Sequence, residues 1–339
     1  MGAWTLLLAG TSLFLIWLGK RAAGEVLQYG LLGLNLLALL ALGSGWAIAL
    51  WQSPVVTTNI NALAAQDSGS FEWASFVRPA HSRDVQVLRD VVYDRPEGQA
   101  LKLDVYTPPG HTQDMVVPGI VVVHGGSWRG GDKGELAEQS EVWAAEGYLV
   151  FDIAYRLAPR YRFPTAVQDV QCALSFVEAQ AGSFGLDPRR IAIVGRSAGA
   201  QIALVAAYAP AEPALAPLCS APGEPIRAVL GYYAPTRMSY HDIIQPELSP
   251  GALDDYLGGS PELYPESYRL ARPFTWIGPD TPPTLLLHGG RDQFIRTRDP
   301  VELGEALAAA GRPYAVVLLP WANHGFDVNP TGTSSQQIL

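Results

Sequence analysis

The sequence predicts an α/β protein with a mostly parallel sheet covered by helices on both faces, preceded by an N-terminal transmembrane helical hairpin. Three observations carry this prediction. From residue 85 onward, apolar runs of strand length alternate with helical segments. These runs are continuously apolar, which is typical of strands that are buried on both faces. The first 51 residues contain two long uncharged segments, which are separated by Lys20, Arg21 and Glu25.

Both uncharged segments have the length of a membrane span. Residues 2–19 are 18 residues without a charged side chain, and as a helix they would extend about 27 Å. Residues 29–51 are longer and equally apolar, so we expect both segments to cross a bilayer. A pair of buried helices and a cleaved signal peptide are the alternatives. Neither segment alternates polar and apolar faces, and no basic side chain precedes the first one.

The positive charges near the spans predict their orientation. Lys20 and Arg21 lie between the spans, whereas residues 52–77 contain no basic residue and include Asp67 and Glu72. Lys and Arg near the ends of a span tend to stay on the cytoplasmic side. We therefore expect a multi-pass integral membrane protein whose termini and large C-terminal part lie on the extracytoplasmic side.

The composition excludes several classes of function. The chain has 23 basic and 32 acidic residues, and because residues 1–51 hold two of the former and one of the latter, the remainder carries a net charge of −10. This acidity argues against binding to nucleic acid, which depends on Lys and Arg. Two cysteines exclude a Cys-rich metal module. No His and carboxylate residues have the spacing of a metal hydrolase, so we expect no metal site.

The rest of the chain divides into a linker, one domain and a tail. Residues 52–84 begin with a stretch rich in Ser, Asn, Gln and Ala and are predicted to be a linker. Residues 85–330 are predicted to form one α/β domain, and residues 331–339 a short tail. Within the domain, residues 233–280 are rich in Pro, Tyr and Leu and contain no clear sheet element. This insertion is expected to be either a lid over the site or a plain connecting loop.

The domain opens with an antiparallel hairpin, which is predicted by β-rich runs at residues 85–93 and 100–106 on either side of a turn. Residues 164–180 place their apolar side chains on one face of a helix. Six further runs predict the parallel strands, at residues 119–123, 148–153, 191–194, 228–232, 284–287 and 315–319. Ligands bind beyond the carboxyl ends of the strands in such sheets, so we expect the functional residues in the loops that follow them.

One of these loops has the sequence of an exposed serine nucleophile. After residues 191–194 the chain reads G-R-S-A-G, with Ser197 at the centre, and continues into the apolar helical run 200–208. Between a strand and a helix, G-x-S-x-G forms a sharp turn that exposes the serine hydroxyl, and its glycines avoid clashes within the turn. We expect Ser197 to be a nucleophile. An ordinary Gly-rich turn is the alternative.

A serine nucleophile needs a general base, and His324 is the best placed of the six histidines. It follows the last predicted strand and lies downstream of Ser197, in the chain order of serine, acid and histidine that this motif requires. His124 and His288 each end a strand directly before two glycines, which suits loop architecture better than proton transfer. The other three histidines lie before the domain or in irregular connections.

The acid that orients this histidine is expected to be Asp292. It follows the strand at residues 284–287 closely and lies between the serine and the histidine in the chain. A carboxylate there would hold the imidazole and stabilise its protonated form. Asp299 and Asp280 are the alternatives, and neither follows a strand so closely.

A third loop provides backbone donors for an oxyanion. The strand at residues 119–123 leads into H-G-G-S-W, so we expect the N–H groups of Gly125 and Gly126, together with that of Ala198, to form an oxyanion hole. A second His-Gly-Gly begins at His288, but it follows the serine and is better suited to positioning the acid. Trp128 is expected to line a substrate pocket with aromatic residues of the insertion, and simple core packing is the alternative.

Together these motifs resemble the α/β-hydrolase superfamily, and within it the esterase and lipase branch that includes hormone-sensitive-lipase-like enzymes. The resemblance covers roughly residues 91–326. Y-R-L-A-P at 155–159 and F-P at 163–164, followed by Asp169, look like that branch. W-R-G-G-D-K, which begins at Trp128, looks closer to bacterial esterases related to feruloyl esterases, and somewhat to kynurenine formamidases. Ser127 stands where a hormone-sensitive-lipase-like enzyme usually has a third glycine.

The resemblance implies hydrolysis of small-molecule carboxylic esters without a cofactor. Ser197 would attack the carbonyl, His324 would take and return the proton, and Asp292 would orient His324. An amidase or formamidase with the same residues and a non-catalytic interaction protein on the same fold are the alternatives.

Other features of the chain keep a structural interpretation or stay open. Arg156 and Asp169 are expected to be structural, as an ion pair. Cys172 lies on a predicted helix and Cys219 in a Pro-rich loop, so their pairing stays open, as do the acyl and alcohol specificity and the oligomeric state.

Overall fold

The structure, a computed structural model, describes residues 55–58, 84–209, 212–241, 243 and 249–328. Within these residues the chain forms a nine-stranded sheet with the order β1-β9-β8-β7-β6-β4-β5-β3-β2. The strands are β1 (Val55–Thr58), β2 (Gln86–Asp94), β3 (Leu101–Thr107), β4 (Val117–Val123), β5 (Leu149–Ile153), β6 (Leu186–Arg196), β7 (Ala228–Tyr232), β8 (Thr284–Gly289) and β9 (Tyr314–Leu319).

Six strands, β4 to β9, form a parallel core, and antiparallel strands close both sides of the sheet. The hairpin of β2 and β3 pairs with β5 on one side, and β1 pairs with β9 on the other. The mostly parallel sheet and its antiparallel hairpin are confirmed. The strand β1 lies within residues 52–84, where the sequence predicts only a linker.

Helices cover both faces of this sheet. They are α1 (Ala137–Ala145), α2 (Thr165–Ala179), α3 (Ala181–Phe184), α4 (Ala198–Tyr208), α5 (Ser249–Leu257), α6 (Pro265–Ala271) and α7 (Arg298–Ala309). In β4, Val121 and Val123 pack with α2 and α4 on one face. Ile120 and Val122 pack with α1 on the other. Because both faces are buried, the strand is continuously apolar rather than alternating.

The insertion between β7 and β8 lies beside the carboxyl ends of the strands. It contains α5, α6 and a 3₁₀ turn at Pro273–Trp276, and its only sheet-like contact among the described residues is a bridge between Ile243 and Ile295. The Tyr256 ring of α5 stacks on Trp128 with the ring centroids 5.0 Å apart. The insertion therefore packs against the loop after β4. Its action as a lid stays a prediction.

One disulfide and one ion pair connect α2 to the rest of the domain. Cys172 and Cys219 form a disulfide with a Cα–Cα distance of 5.7 Å, which joins α2 to the Pro-rich loop after α4. Arg156 Nη2 and Asp169 Oδ1 lie 2.6 Å apart in an ion pair whose side chains are 4% and 1% exposed. Arg156 and Asp169 thus form a buried structural ion pair, as predicted from the sequence.

The predicted membrane spans, residues 2–19 and 29–51, and the tail at 331–339 lie outside the described residues. Among the helices that the structure describes, none combines the length and the apolar character needed to cross a bilayer. The N-terminal hairpin therefore stays a prediction.

Candidate active site

The sharp turn between β6 and α4 exposes Ser197. This residue has φ 52° and ψ −122°, a conformation that non-glycine residues rarely adopt and that occurs mainly where the surrounding structure enforces it. Its N–H donates to the carbonyl of Tyr232 at 3.0 Å, which anchors the turn to β7. A side chain at Gly195 would clash with the carbonyl of Gly199, and one at Gly199 would clash with the carbonyl of His124. Both glycines of the motif are therefore required by the tight packing of the turn.

The structure brings the three predicted side chains into one hydrogen-bonded series. His324 Nε2 lies 3.1 Å from Ser197 Oγ, and His324 Nδ1 lies 2.8 Å from Asp292 Oδ2. The other oxygen of Asp292 accepts the N–H groups of Phe294 and Ile295, at 2.8 and 2.9 Å. The carboxylate is thus fixed by its own loop and presents one oxygen to the imidazole.

The surroundings of Asp292 favour its ionised form. Burial by itself would raise the pKa of this carboxyl, but the hydrogen bond and charge of His324, with the N–H of Ile295, outweigh burial and keep the pKa below its usual value. His288 Nε2 lies 3.6 Å from Asp292 on the buried side, where burial lowers the pKa of the His288 imidazole. Asp292 is therefore a carboxylate at neutral pH.

The other acids that the sequence left open have different surroundings. Asp299 is buried and accepts the N–H of Thr236 at 2.7 Å, and Asp280 is exposed. His288 lies behind the acid rather than beside the serine, where it hydrogen-bonds the carbonyl of Ile295 at 3.1 Å.

The predicted oxyanion donors line the same cavity as the serine. Gly125, Gly126 and Ala198 all lie in its wall together with Ser197 and His324. Within the described residues, the backbone N–H groups of Gly125, Gly126 and Ala198 donate no hydrogen bond to another turn or loop carbonyl. All three groups are therefore available to a negatively charged oxygen.

The loop after β4 follows an unusual backbone path. Gly126, Ser127 and Trp128 have φ values of 110°, 53° and 61° in succession. The turn is closed by the N–H groups of Arg129 and Gly130, which both donate to the carbonyl of Gly126 at 3.1 and 3.0 Å. This path places Gly126, Ser127 and Trp128 in the wall of the cavity that contains Ser197.

The cavity has a volume of about 360 Å³ and is mainly apolar. Trp128 lies in its wall and is held rigidly, because its Nε1 donates to Gln201 Oε1 at 2.9 Å and its ring stacks on Tyr256. Other apolar side chains of the wall are Leu136, Pro235, Ile243, Ala252, Phe294, Ile295 and Val328. A cavity of this size and character has room for a small, largely apolar molecule.

Comparisons with known proteins identify the family. Residues 103–307, more than half of the chain, match the BD-FAE family. The chain belongs to this family. The BD-FAE match includes Ser197, Asp292 and the predicted oxyanion donors, and it ends before His324.

Curated relatives of this BD-FAE member carry esterase names. Esterase LipC of Mycobacterium tuberculosis is 30% identical over 288 residues, which cover 79% of this chain and 68% of LipC. The probable carboxylic ester hydrolase LipM of the same bacterium is 29% identical over 74% of this chain and 60% of its own length. Esterase LipQ is 27% identical, over 79% of this chain and 64% of LipQ. The chain thus spans less than two thirds of LipM and LipQ.

Solved structures of esterases share the fold of this BD-FAE member. The esterase LipW of Mycobacterium marinum is 25% identical with a TM-score of 0.58, covering 75% of this chain and 78% of LipW. The propionate-bound esterase Est2 of Thermogutta terrifontis is 25% identical with a TM-score of 0.59, and the match covers 73% of this chain and 87% of Est2. Esterase B of Lactobacillus rhamnosis is 21% identical with a TM-score of 0.64, and the match covers 76% of this chain and 82% of esterase B. At this identity the likeness is one of fold alone. The BD-FAE domain therefore has the α/β-hydrolase fold.

Sequence reasoning missed one group of residues at this BD-FAE site. Arg196, Tyr233 and Asp327 form a buried polar network next to Ser197 and His324. Two signals in the sequence point to it. An arginine occupies the position before the serine, and an aspartate follows the histidine by three residues, both in apolar surroundings.

Proposed function

We propose that this protein is a serine hydrolase that cleaves carboxylic esters through an acyl-enzyme intermediate. The observation that carries the proposal is the series of contacts from Ser197 Oγ to His324 and from His324 to Asp292, at 3.1 and 2.8 Å. The esterase names of LipC, LipM and LipQ support an ester as the substrate.

In the first half of the reaction, Ser197 Oγ attacks the ester carbonyl carbon while His324 Nε2 accepts the hydroxyl proton. Asp292 stabilises the resulting imidazolium through Nδ1 and keeps the ring in the tautomer that leaves Nε2 free to act as a base. The carbonyl oxygen, now negative, accepts hydrogen bonds from the N–H groups of Gly125, Gly126 and Ala198. Collapse of the tetrahedral intermediate breaks the bond to the alcohol, which leaves with the proton from His324.

In the second half, water replaces the alcohol. His324 Nε2 takes a proton from the water as its oxygen attacks the acyl carbon on Ser197. The second tetrahedral intermediate uses the same N–H donors, and its collapse returns the proton to Ser197 Oγ and releases the carboxylic acid. Both halves need only the described side chains, the backbone N–H groups and water.

We further propose that the N-terminal hairpin holds the catalytic domain on the extracytoplasmic side of a membrane. The spans at residues 2–19 and 29–51 and the basic turn between them support this. The disulfide between Cys172 and Cys219 supports it independently, because disulfides persist in oxidising compartments. A reporter that is active only in the cytoplasm, fused after residue 60, should be inactive. Strong reporter activity would contradict this orientation.

The test of the proposed activity is hydrolysis by the full chain in detergent, compared with Ser197→Ala. The substrates are p-nitrophenyl esters of short and long acyl chains, feruloyl esters and N-formyl compounds. The wild type should cleave esters, and Ser197→Ala should lose at least about 10³-fold in rate. Equal rates for the two proteins would refute the assignment of the nucleophile. Turnover of N-formyl compounds alone would refute ester hydrolysis while leaving the nucleophile in place.

A further inference from the structure

Both carboxylate oxygens of Asp327 are bound, each by a residue from a different part of the site. Arg196 Nε donates to Oδ2 at 2.6 Å, and the hydroxyl of Tyr233 donates to Oδ1 at 2.7 Å. Arg196 and Tyr233 are each 4% exposed and Asp327 is 2% exposed. Water therefore screens the ion pair of Arg196 and Asp327 very little. The hydrogen bonds to Asp327 fix the positions of these side chains more strongly than they would at the surface.

Each member of this network adjoins a member of the proposed catalytic set. Arg196 is the last residue of β6 and directly precedes Ser197. Asp327 lies three residues after His324, in the loop that follows β9. The ring of Tyr233 lies against the imidazole of His324, with the ring centroids 4.3 Å apart. Asp327 thus connects the turn at Ser197, the loop that carries His324, and Tyr233, which packs on the His324 ring.

The network is itself fixed to the central sheet. The N–H of Tyr233 donates to the carbonyl of Leu287 in β8 at 2.7 Å. The guanidinium of Arg196 lies over the rings of Trp143 and Tyr232, 5.1 to 5.3 Å from their centroids. Such cation–π contacts hold the guanidinium between α1 and β7. Asp327 is consequently bound by two residues that are themselves anchored to the central sheet and α1.

We propose that Asp327 is a positioning residue that, through Arg196 and Tyr233, sets the distance between His324 Nε2 and Ser197 Oγ. The proposal rests on the proposed serine hydrolase function. Asp292 orients the imidazole ring from Nδ1, whereas Asp327 holds the loop on which that ring stands. The two acids therefore have separate tasks, and Asp327 touches neither the substrate nor the reacting atoms.

A buried ion pair elsewhere in the domain provides a matched control. Arg156 and Asp169 are equally buried and lie 2.6 Å apart, yet neither lines the cavity nor contacts Ser197 or His324. Asp169→Asn should therefore show what the loss of a buried ion pair does to folding alone. A purely structural role for Asp327 predicts the same behaviour for Asp327→Asn.

The experiment compares Asp327→Asn, Tyr233→Phe and Asp169→Asn with the wild type and Ser197→Ala, all as full chains in detergent. The measurements are kcat and KM on a p-nitrophenyl ester, the rate at which a fluorophosphonate labels the serine, and the midpoint of thermal unfolding. Tyr233→Phe is the mild variant, because it removes one hydroxyl and keeps the ring against His324.

For Asp327→Asn we expect kcat and the labelling rate to fall about 10- to 100-fold, with KM unchanged, because a misplacement of about 1 Å has effects of this size. Tyr233→Phe should lower kcat about 3- to 10-fold, the effect of one hydrogen bond. Asp169→Asn should lower the unfolding midpoint and keep the wild-type kcat.

A wild-type kcat in Asp327→Asn, or a loss confined to KM, would overturn the proposal. If Asp327→Asn does not fold, Tyr233→Phe decides, and a wild-type kcat in that variant would overturn it. Failure of the proposed function would look different, since the wild type would then be inactive or as active as Ser197→Ala.

Discussion

Ser197 and His324 are 127 residues apart in the chain, and their side chains meet with 3.1 Å between Oγ and Nε2. The contact forms because both residues follow strands of the parallel core, so their loops lie at the same edge of the sheet. This distance lets the imidazole accept the serine proton directly.

Replacing Asp292 by Asn should lower kcat by about 10⁴-fold and leave KM nearly unchanged, because the amide stabilises the wrong imidazole tautomer. Steady-state kinetics on a p-nitrophenyl ester measure both constants. Asp280→Asn is the control, since Asp280 is exposed and is one of the two other acids that the sequence left open. A comparable loss of kcat in Asp280→Asn would contradict the assignment of the acid.

Replacing Gly126 by Ala should lower kcat by about 10²- to 10³-fold, the effect of losing an oxyanion donor. Gly126 has φ 110°, and a Cβ there would clash with the carbonyl of Gly130, so the loop must move. Gly98→Ala is the matched control: its φ is 81°, but no atom lies within 4 Å of the added Cβ. Gly98→Ala should lower the stability of the domain and keep the wild-type kcat. Equal effects of the two variants on kcat would contradict the oxyanion role.

The stability of the domain should depend on pH through Asp152. Burial raises the pKa of this carboxyl to about 7, although the N–H of Gly134 and the charge of Arg196 act in the opposite direction. An unfolded Asp has a pKa of about 3.9, so between about pH 4 and 7 the folded protein holds a proton that the unfolded chain has lost. The free energy of unfolding should therefore fall as the pH rises through this range, by at most about 1.4 kcal/mol per pH unit.

Asp152→Asn should remove this decline. Guanidinium unfolding followed by tryptophan fluorescence at several pH values measures the slope. Asp132→Asn, on an exposed carboxyl, is the control and should keep the wild-type slope. The same slope in Asp152→Asn and the wild type would show that Asp152 does not take up a proton on folding in this range.

Removing the disulfide should lower stability without changing catalysis. The bond closes a loop of 47 residues between Cys172 and Cys219, neither of which lines the cavity. Constraining a loop of this length in the unfolded chain is worth about 4 kcal/mol in the chain-entropy estimate, and measured values are typically about 2–4 kcal/mol. The double variant Cys172→Ser/Cys219→Ser should unfold earlier and keep the wild-type kcat. Unchanged stability of the wild type after reduction would contradict the pairing.

The sequence predicts most of the sheet because its strands have a strong local signal. The run at 119–123 is continuously apolar since Ile120 and Val122 face one core while Val121 and Val123 face the other. β1 has only four residues within a polar stretch, so the pattern of burial that identifies the other strands is missing there. Its pairing with β9 depends on residues about 260 positions further along the chain, as the pairing of Val55 with Leu318 shows.

The candidate site likewise contains residues that the sequence predicts and residues that it does not. Ser197, Asp292 and His324 each follow a predicted strand, so chain order and strand ends identify them. Asp327 and Arg196 are 131 residues apart, and no local pattern indicates that they meet. Their contact follows from the way in which two loops fold over the edge of the sheet, and only the structure contains that information.

The residue that carries the acyl group during turnover identifies the nucleophile directly. The full chain is mixed with a p-nitrophenyl ester, quenched in acid during turnover, digested and analysed by mass spectrometry. We expect one acylated site, Ser197, and no adduct in Ser197→Ala. An acyl group on another residue, or full turnover by Ser197→Ala, would contradict it.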